Sequence, residues 1–148
     1  MIEDTTELCL PGEHVIRLES RPANSEGIGA VTLRDLVRNA LRMRPDRILI
    51  GEVRGGEAID LLMALNTGHT GALSTVHAND AGAALLRLQT LASMGGIELP
   101  ISAIDANIGS AINVIVQVQR RPEGRLIIEV ARVRPGPPVS VEQLWVRP

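Results

Sequence analysis

The sequence predicts an α/β fold: a largely parallel sheet flanked by helices, with a carboxy-terminal β-hairpin. Three observations carry that expectation. Short apolar runs alternate with helical patterns through the first two thirds of the chain, the order that builds βαβ units. The run Arg47-Ile-Leu-Ile-Gly-Glu-Val-Arg-Gly-Gly-Glu57 is an apolar strand that meets a glycine and then a carboxylate at Glu52. In an open parallel sheet, ligands sit beyond the carboxyl ends of the strands, where such a carboxylate would stand. Further on, two β-rich runs flank Arg120-Arg-Pro-Glu-Gly124, a hairpin signal.

Met1 and Ile2 read as the end of a buried strand. A strand normally has about 5–6 residues, so the chain is expected to begin inside an element, as a fragment or from a late start. His14 to Glu19 alternates apolar and polar residues and predicts a strand. Arg21 to Gly29, rich in Pro, Asn, Ser and Gly, predicts a loop. Thr32 is placed to cap a helix, with Asp35 as the returning acid of a capping box. Leu33, Leu36, Val37, Ala40 and Leu41 recur at helical spacing as its apolar face, and Pro45 ends it. The strand at Ile48 to Ile50 comes next, then a helix from Glu57 to Asn66 that stops at Gly68. Ala72 to Val76 predicts another strand. Asp80 opens a helix reaching Met94, closed by Gly95 and Gly96. Pro100 to Ala111 predicts a further helix, and Asn113 to Gln119 and Arg125 to Val133 the two arms of the hairpin. Pro135, Pro137 and Pro138 interrupt regular structure after the hairpin, so a single domain over 1–134 is expected to end in a proline-rich tail over 135–148.

With 148 residues the chain is long enough for one domain with a core. Its 45% hydrophobic and 22% charged residues predict a soluble, globular protein. One Trp and no Phe or Tyr leave the core to aliphatic side chains. They also remove the aromatic platforms on which single-stranded nucleic acids stack. A net charge of -2 gives no basic footprint, so nucleic acid is not an expected partner. Cys9, the only cysteine, supports neither a disulfide nor a Cys-based zinc site within one chain, and it reads as a small buried residue. Leu62, Leu85, Leu86, Leu88 and Leu91 read as core. No apolar run approaches the roughly 20 residues of a membrane span, and the amino terminus is acidic rather than signal-like. Trp145 is suited either to covering a surface patch or to marking a contact.

Two polar clusters bracket Glu52: Ile2-Glu-Asp-Thr-Thr-Glu-Leu8 upstream and Gly68-His-Thr-Gly-Ala-Leu-Ser-Thr-Val-His-Ala-Asn79 downstream. Each has an ordinary reading when taken alone. Three acids in seven residues commonly form a solvated loop, a strand-end acid can cap the next helix, and loop histidines need no chemistry. Together, in this order, they resemble the secretion ATPase superfamily, the hexameric motors of type II and type IV secretion and of type IV pili. The branch most resembled is the ATPase of Flp/Tad-type pilus assembly. The first cluster is similar to that family's Asp box, and Arg47-Ile-Leu-Ile-Gly-Glu52 to its atypical Walker B. Gly68-His-Thr-Gly through Thr75-Val-His-Ala-Asn79 is similar to its His box, and Leu33 to Asp46 to the helix before Walker B. The resemblance covers about Met1 to Val118.

The resemblance implies a RecA-like P-loop NTPase fold, present in part, with ATP and Mg²⁺ as cofactors. Glu3 then becomes the candidate that orients or deprotonates the attacking water, with Asp4 and Glu7 supporting metal and local geometry. Glu52 would meet Mg²⁺ through water, since Mg²⁺ keeps several of its own. His77, past the end of a strand, would donate a hydrogen bond to the γ-phosphate and report its loss; Thr75 lies in the same box, on the nucleotide side. His69 is expected at the other end of that strand, where an interdomain or intersubunit contact suits it. Arg54 or Arg38 would reach a carboxylate of the site or a neighbouring subunit, and Arg21 is a further candidate. Arg34 and Arg42 read as a solvated stripe on one helix face.

The chain departs from the family in one respect. The phosphate-binding loop Gly-x-x-x-x-Gly-Lys-Ser/Thr is not among its residues and would lie before Met1. The expectation is therefore the carboxy-terminal part of an ATPase domain, unable to hydrolyse ATP alone. The implied partners are copies of itself in a homo-hexamer and an inner-membrane pilus or secretion platform, with the protein cytoplasmic and peripheral to that membrane. Two other readings stay open: a non-catalytic oligomerisation or binding module derived from such an ATPase, and a metal-dependent hydrolase using Glu3, Asp4, Glu52, His69 and His77.

Overall fold

The computed structural model describes residues 1–68 and 71–148. Its elements in chain order are β1 (Ile2–Glu3), β2 (Leu18–Glu19), α1 (Leu33–Arg42), β3 (Leu49–Ile50) and α2 (Glu57–Asn66). They continue with β4 (Leu73–Ser74), α3 (Ala81–Ser93), α4 (Ile101–Ala111), β5 (Val114–Arg121), β6 (Gly124–Arg134) and β7 (Ser140–Val146). The first four strands form a parallel sheet in the order β2-β1-β3-β4, and the last three an antiparallel sheet in the order β5-β6-β7. In the parallel sheet Ile2, Ile50 and Ser74 share one row.

Local chemistry explains the helix bounds. Thr32 Oγ1 accepts from Asp35 N at 3.2 Å while Asp35 Oδ2 accepts from Thr32 N at 3.0 Å, so the predicted capping box opens α1. The hydrogen bonds from Thr32 hold the Asp35 carboxyl below its ordinary range. Asp80 caps α3 by accepting from Ala83 N at 2.7 Å. Leu33, Leu36, Val37 and Ala40 of α1 join Ile2, Ile48, Ile50, Ile59, Leu62, Leu91, Ile104 and Ile108 in one aliphatic core. Helix α2 lies centrally, packed against α1, α3 and α4. Near Asp105 the second sheet meets the helices: this buried carboxylate of α4 accepts from Gln89 of α3 and from Val139 N at 3.4 Å.

Several expectations are corrected. The strand predicted over His14 to Glu19 is only Leu18–Glu19, paired with Ile2 and Glu3 of β1. The tail over 135–148 carries β7, since the prolines occupy the connection and leave Ser140–Val146 free to pair with β6. Leu86 is 65% exposed rather than core: it lies outside the arc of α3 on which Ala81, Ala84, Leu85 and Leu91 are buried, and Leu88 is half-buried. Cys9 is exposed, in the unpaired segment between β1 and β2. Trp145 stands on β7 with the Arg147 guanidinium 5.7 Å from its ring centroid.

Candidate functional site

The site is built on the rim just past the Ile2–Ile50–Ser74 row, at the carboxyl ends of β1, β3 and β4. The next row is Glu3, Gly51 and Thr75. Glu3 is buried, and its Oε1 accepts from Glu7 N at 3.1 Å and Leu8 N at 3.0 Å, which folds the acidic loop back over it. Gly51 has no Cβ because there is little room for one: it would lie 3.1 Å from Glu3 Cγ. Thr75 Oγ1 donates to Gly51 O at 2.5 Å, and Val53 N donates to Thr75 O at 2.9 Å, lacing the exits of β3 and β4 together.

Glu52 leaves this row pointing at Arg54 and His77. Its Oε2 accepts from Arg54 Nε at 2.6 Å, and its Oε1 lies 3.2 Å from His77 Nε2. Arg54 Nη1 also reaches Asp4 Oδ2 at 3.3 Å, so one guanidinium ties two clusters that lie far apart in sequence. The hydrogen bond to Glu52, then its charge, raises the Arg54 guanidinium above its ordinary value. Ser20 Oγ donates to Asp4 Oδ1 at 2.9 Å and fixes the other side of that carboxylate. His77 is 90% exposed, so its free face is open to a ligand. Beyond it a cleft of ≈ 470 Å³ runs along α3 past Asn79, Arg87 and Thr90.

The structure thus brings together Glu3, Asp4, Glu52, Arg54, Thr75 and His77. Glu7 contributes its backbone amide to Glu3, while its own carboxylate is exposed. His69 lies outside the described residues. The arginines sort differently from the sequence reading. Arg34 is not part of a solvated stripe: its Nε lies 2.5 Å from Asp60 Oδ2, and Arg38 Nε lies 2.8 Å from Asp60 Oδ1. Arg38 is therefore committed to joining α1 to α2 and not to the site. Arg21 donates from Nε to Gly29 O at 2.9 Å and braces its own loop. Sequence reasoning missed Glu57, a buried carboxylate at the start of α2 that accepts from Arg54 N and Gly55 N. The signal was an acid in the first helical turn straight after Gly55-Gly56. Among the described residues, no three His, Cys, Asp or Glu side chains come together as metal ligands.

Comparison with known proteins finds a match to the family described as "Type II/IV secretion system protein" over residues 1–125. A protein of Mycobacterium tuberculosis (strain ATCC 25618 / H37Rv) named for conjugal transfer is 48% identical over 134 residues, covering 90% of this chain and 38% of that protein. The type IV secretion system protein PtlH of Bordetella pertussis is 45% identical over 125 residues, covering 81% and 36% respectively. The crystal structure of the VirB11 ATPase from the Brucella suis type IV secretion system, in complex with sulphate, superimposes with a TM-score of 0.77 at 33% identity, over 88% of this chain and 38% of that one. The chain spans well under half the length of each of these proteins.

Proposed function

Because the chain belongs to the type II/IV secretion system protein family, we propose that it is the water- and magnesium-handling segment of a hexameric ATP-driven motor. That motor would power protein secretion or pilus assembly from the cytoplasmic face of the inner membrane, docked on a membrane platform. No described helix is long and apolar enough to cross a membrane. The single observation that carries the reading is convergence: Glu3, Glu52 and His77 come from three neighbouring strand ends to one rim, with Arg54 joining Glu52 to Asp4. Within the family, the spelling of the three boxes supports the Flp/Tad-type pilus branch as the finer assignment.

Phosphoryl transfer to water needs an in-line nucleophile and compensation of charge on the transferred group. Glu3, held by two backbone amides, has the fixed carboxylate that orienting a water requires. His77 has an exposed ring beside Glu52 and is placed to donate toward a terminal phosphate. The donor set fits Mg²⁺ through its hydration water: Glu52 is a hard oxygen ligand whose two oxygens already face Arg54 and His77. Bound Mg²⁺ would neutralise charge across the phosphates.

The segment holds no phosphate cradle. None of the 148 residues is lysine, and no Gly-x-x-x-x-Gly-Lys-Ser/Thr occurs. The purified chain is therefore expected to show no ATP turnover, and clear magnesium-dependent hydrolysis by it would overturn the proposal. In a complete motor, Glu52→Gln is expected to keep ATP binding and lose roughly 10²–10³-fold in kcat. Wild-type turnover would remove Glu52 from the mechanism. A second reading takes these 148 residues as a non-catalytic assembly module. Reading the encoding DNA upstream of Met1 separates the two, since an in-frame Gly-Lys-Ser/Thr loop belongs to the motor alone.

A further inference from the structure

Three carboxylates are buried among the described residues: Glu3, Glu57 and Asp105. Glu3 faces the rim and Asp105 joins α3 to the start of β7. Glu57 belongs to neither place. It is the first residue of α2, and its Oε1 accepts from Arg54 N at 2.7 Å and from Gly55 N at 2.8 Å. Amide bonds to a carboxylate oxygen are roughly twice as strong as bonds between neutral groups, and here two amides share one oxygen. Gly56, at the N-cap, makes no side-chain cap, so Glu57 closes the turn from inside the helix. Gly55 leaves the space: a Cβ there would lie 3.1 Å from Glu57 Oε2.

We infer that Glu57 is a positioning residue that clamps the backbone of Arg54 and Gly55 and thereby aims the Arg54 guanidinium at Glu52 and Asp4. The Arg54 side chain is 61% exposed, and an exposed arginine gives up rotamer freedom to hold two carboxylates. On a loose turn it would hold neither for long. With its backbone nailed by Glu57, only the side-chain torsions remain to be ordered. The consequence for catalysis rests on the motor reading, whereas the clamp itself does not.

Hydrogen exchange and the Arg54 Nε–H resonance, both measured by NMR on the ¹⁵N-labelled 148-residue chain, test this without nucleotide. In Glu57→Ala the Arg54 and Gly55 amides should exchange at least about tenfold faster, and the Nε–H signal should move to the position of a free arginine. Glu57→Gln keeps an acceptor oxygen at the same reach and should retain the wild-type Nε–H position. Arg54→Ala should leave the Gly55 amide protected, which sets the order of dependence. A folded Glu57→Ala chain that frays at the start of α2 yet keeps the wild-type Nε–H signal would reduce Glu57 to a helix cap and overturn the proposal. Should Glu57→Ala fail to fold, Glu57→Asp keeps the charge but is one methylene short. An unmoved Nε–H signal in that variant overturns the proposal equally. Failure of the motor reading would show instead as absent turnover in the complete protein, with these spectra unchanged.

Discussion

Replacing Gly56 by alanine tests how closely α2 and the end of α3 are packed, and the sign of the effect decides the matter. Gly56 has helical torsions, φ -63° and ψ -12°, which any residue adopts. On backbone grounds alone, Gly→Ala in a helical conformation should stabilise by about 0.5–1 kcal/mol. The packing argues the other way. A Cβ on Gly56 would stand 2.7 Å from Gly95 Cα and 3.0 Å from Met94 O. Both are backbone atoms, so no rotamer change relieves the overlap and one chain segment must move. Overpacking of this kind costs roughly 1–3 kcal/mol. The upper part of that range applies here, which leaves a net loss of about 1–2 kcal/mol after the backbone gain. For a chain of this size, 1 kcal/mol corresponds to about 2–4 °C in Tm, so a thermal melt followed by far-UV circular dichroism should fall by roughly 2–8 °C. A Tm equal to or above that of the unsubstituted chain would refute the close approach.

Three further outcomes are expected from other parts of the molecule. Asp105→Ala orphans the Gln89 amide and the Val139 N–H, and should cost about 2–4 kcal/mol in urea unfolding; a loss below about 0.5 kcal/mol would mean that neither donor depends on it. His77→Ala, at a side chain 90% exposed, should leave stability within about 0.5 kcal/mol, and a collapse of the thermal transition would assign His77 a structural role in place of a chemical one. The Asp35 carboxyl is lowered in the folded state by its bonds to Thr32, so its stabilisation is complete above the unfolded value of about 3.9 and is lost as pH falls through the lower folded value. Thr32→Ala should therefore remove part of the acid-induced loss of α1 helicity, and identical acid limbs in both proteins would count against the capping box.

The features legible in the sequence had local causes. The starts of α1 and α3 could be read from Thr32 and Asp80, because a cap satisfies orphan amides within a few residues of itself. The length of β2 was not legible, because pairing depends on a partner elsewhere in the chain. Strand β7 was hidden behind Pro135, Pro137 and Pro138, which mark a break but carry no signal for the pairing of the residues beyond it. Leu86 looked like core because leucine usually is, but its place on α3 turns it outward. Arg34 found Asp60 on a helix 26 residues away, a pairing that no spacing within α1 could announce. At the site, Glu52, Glu3 and His77 were visible as motif residues, while Glu57 reads on paper as an ordinary acid at a helix start.

That three clusters so far apart could be read as one site has a structural reason. Parallel pairing aligns Ile2 with Ile50 and Ile50 with Ser74, so the residues one step further on, Glu3, Gly51 and Thr75, fall side by side without any special contact being needed. Side chains then refine the arrangement that the register has already assembled: the small Gly51 admits Glu3, Thr75 bonds to Gly51 O, and Arg54 spans the remaining distance to Asp4. Slipping β1 by one residue would exchange the faces of the sheet that Ile2 and Glu3 occupy. Burial of Ile2 at 1% exposure opposes that slip, so the apolar residue beside each functional one holds the site in register as well as filling the core.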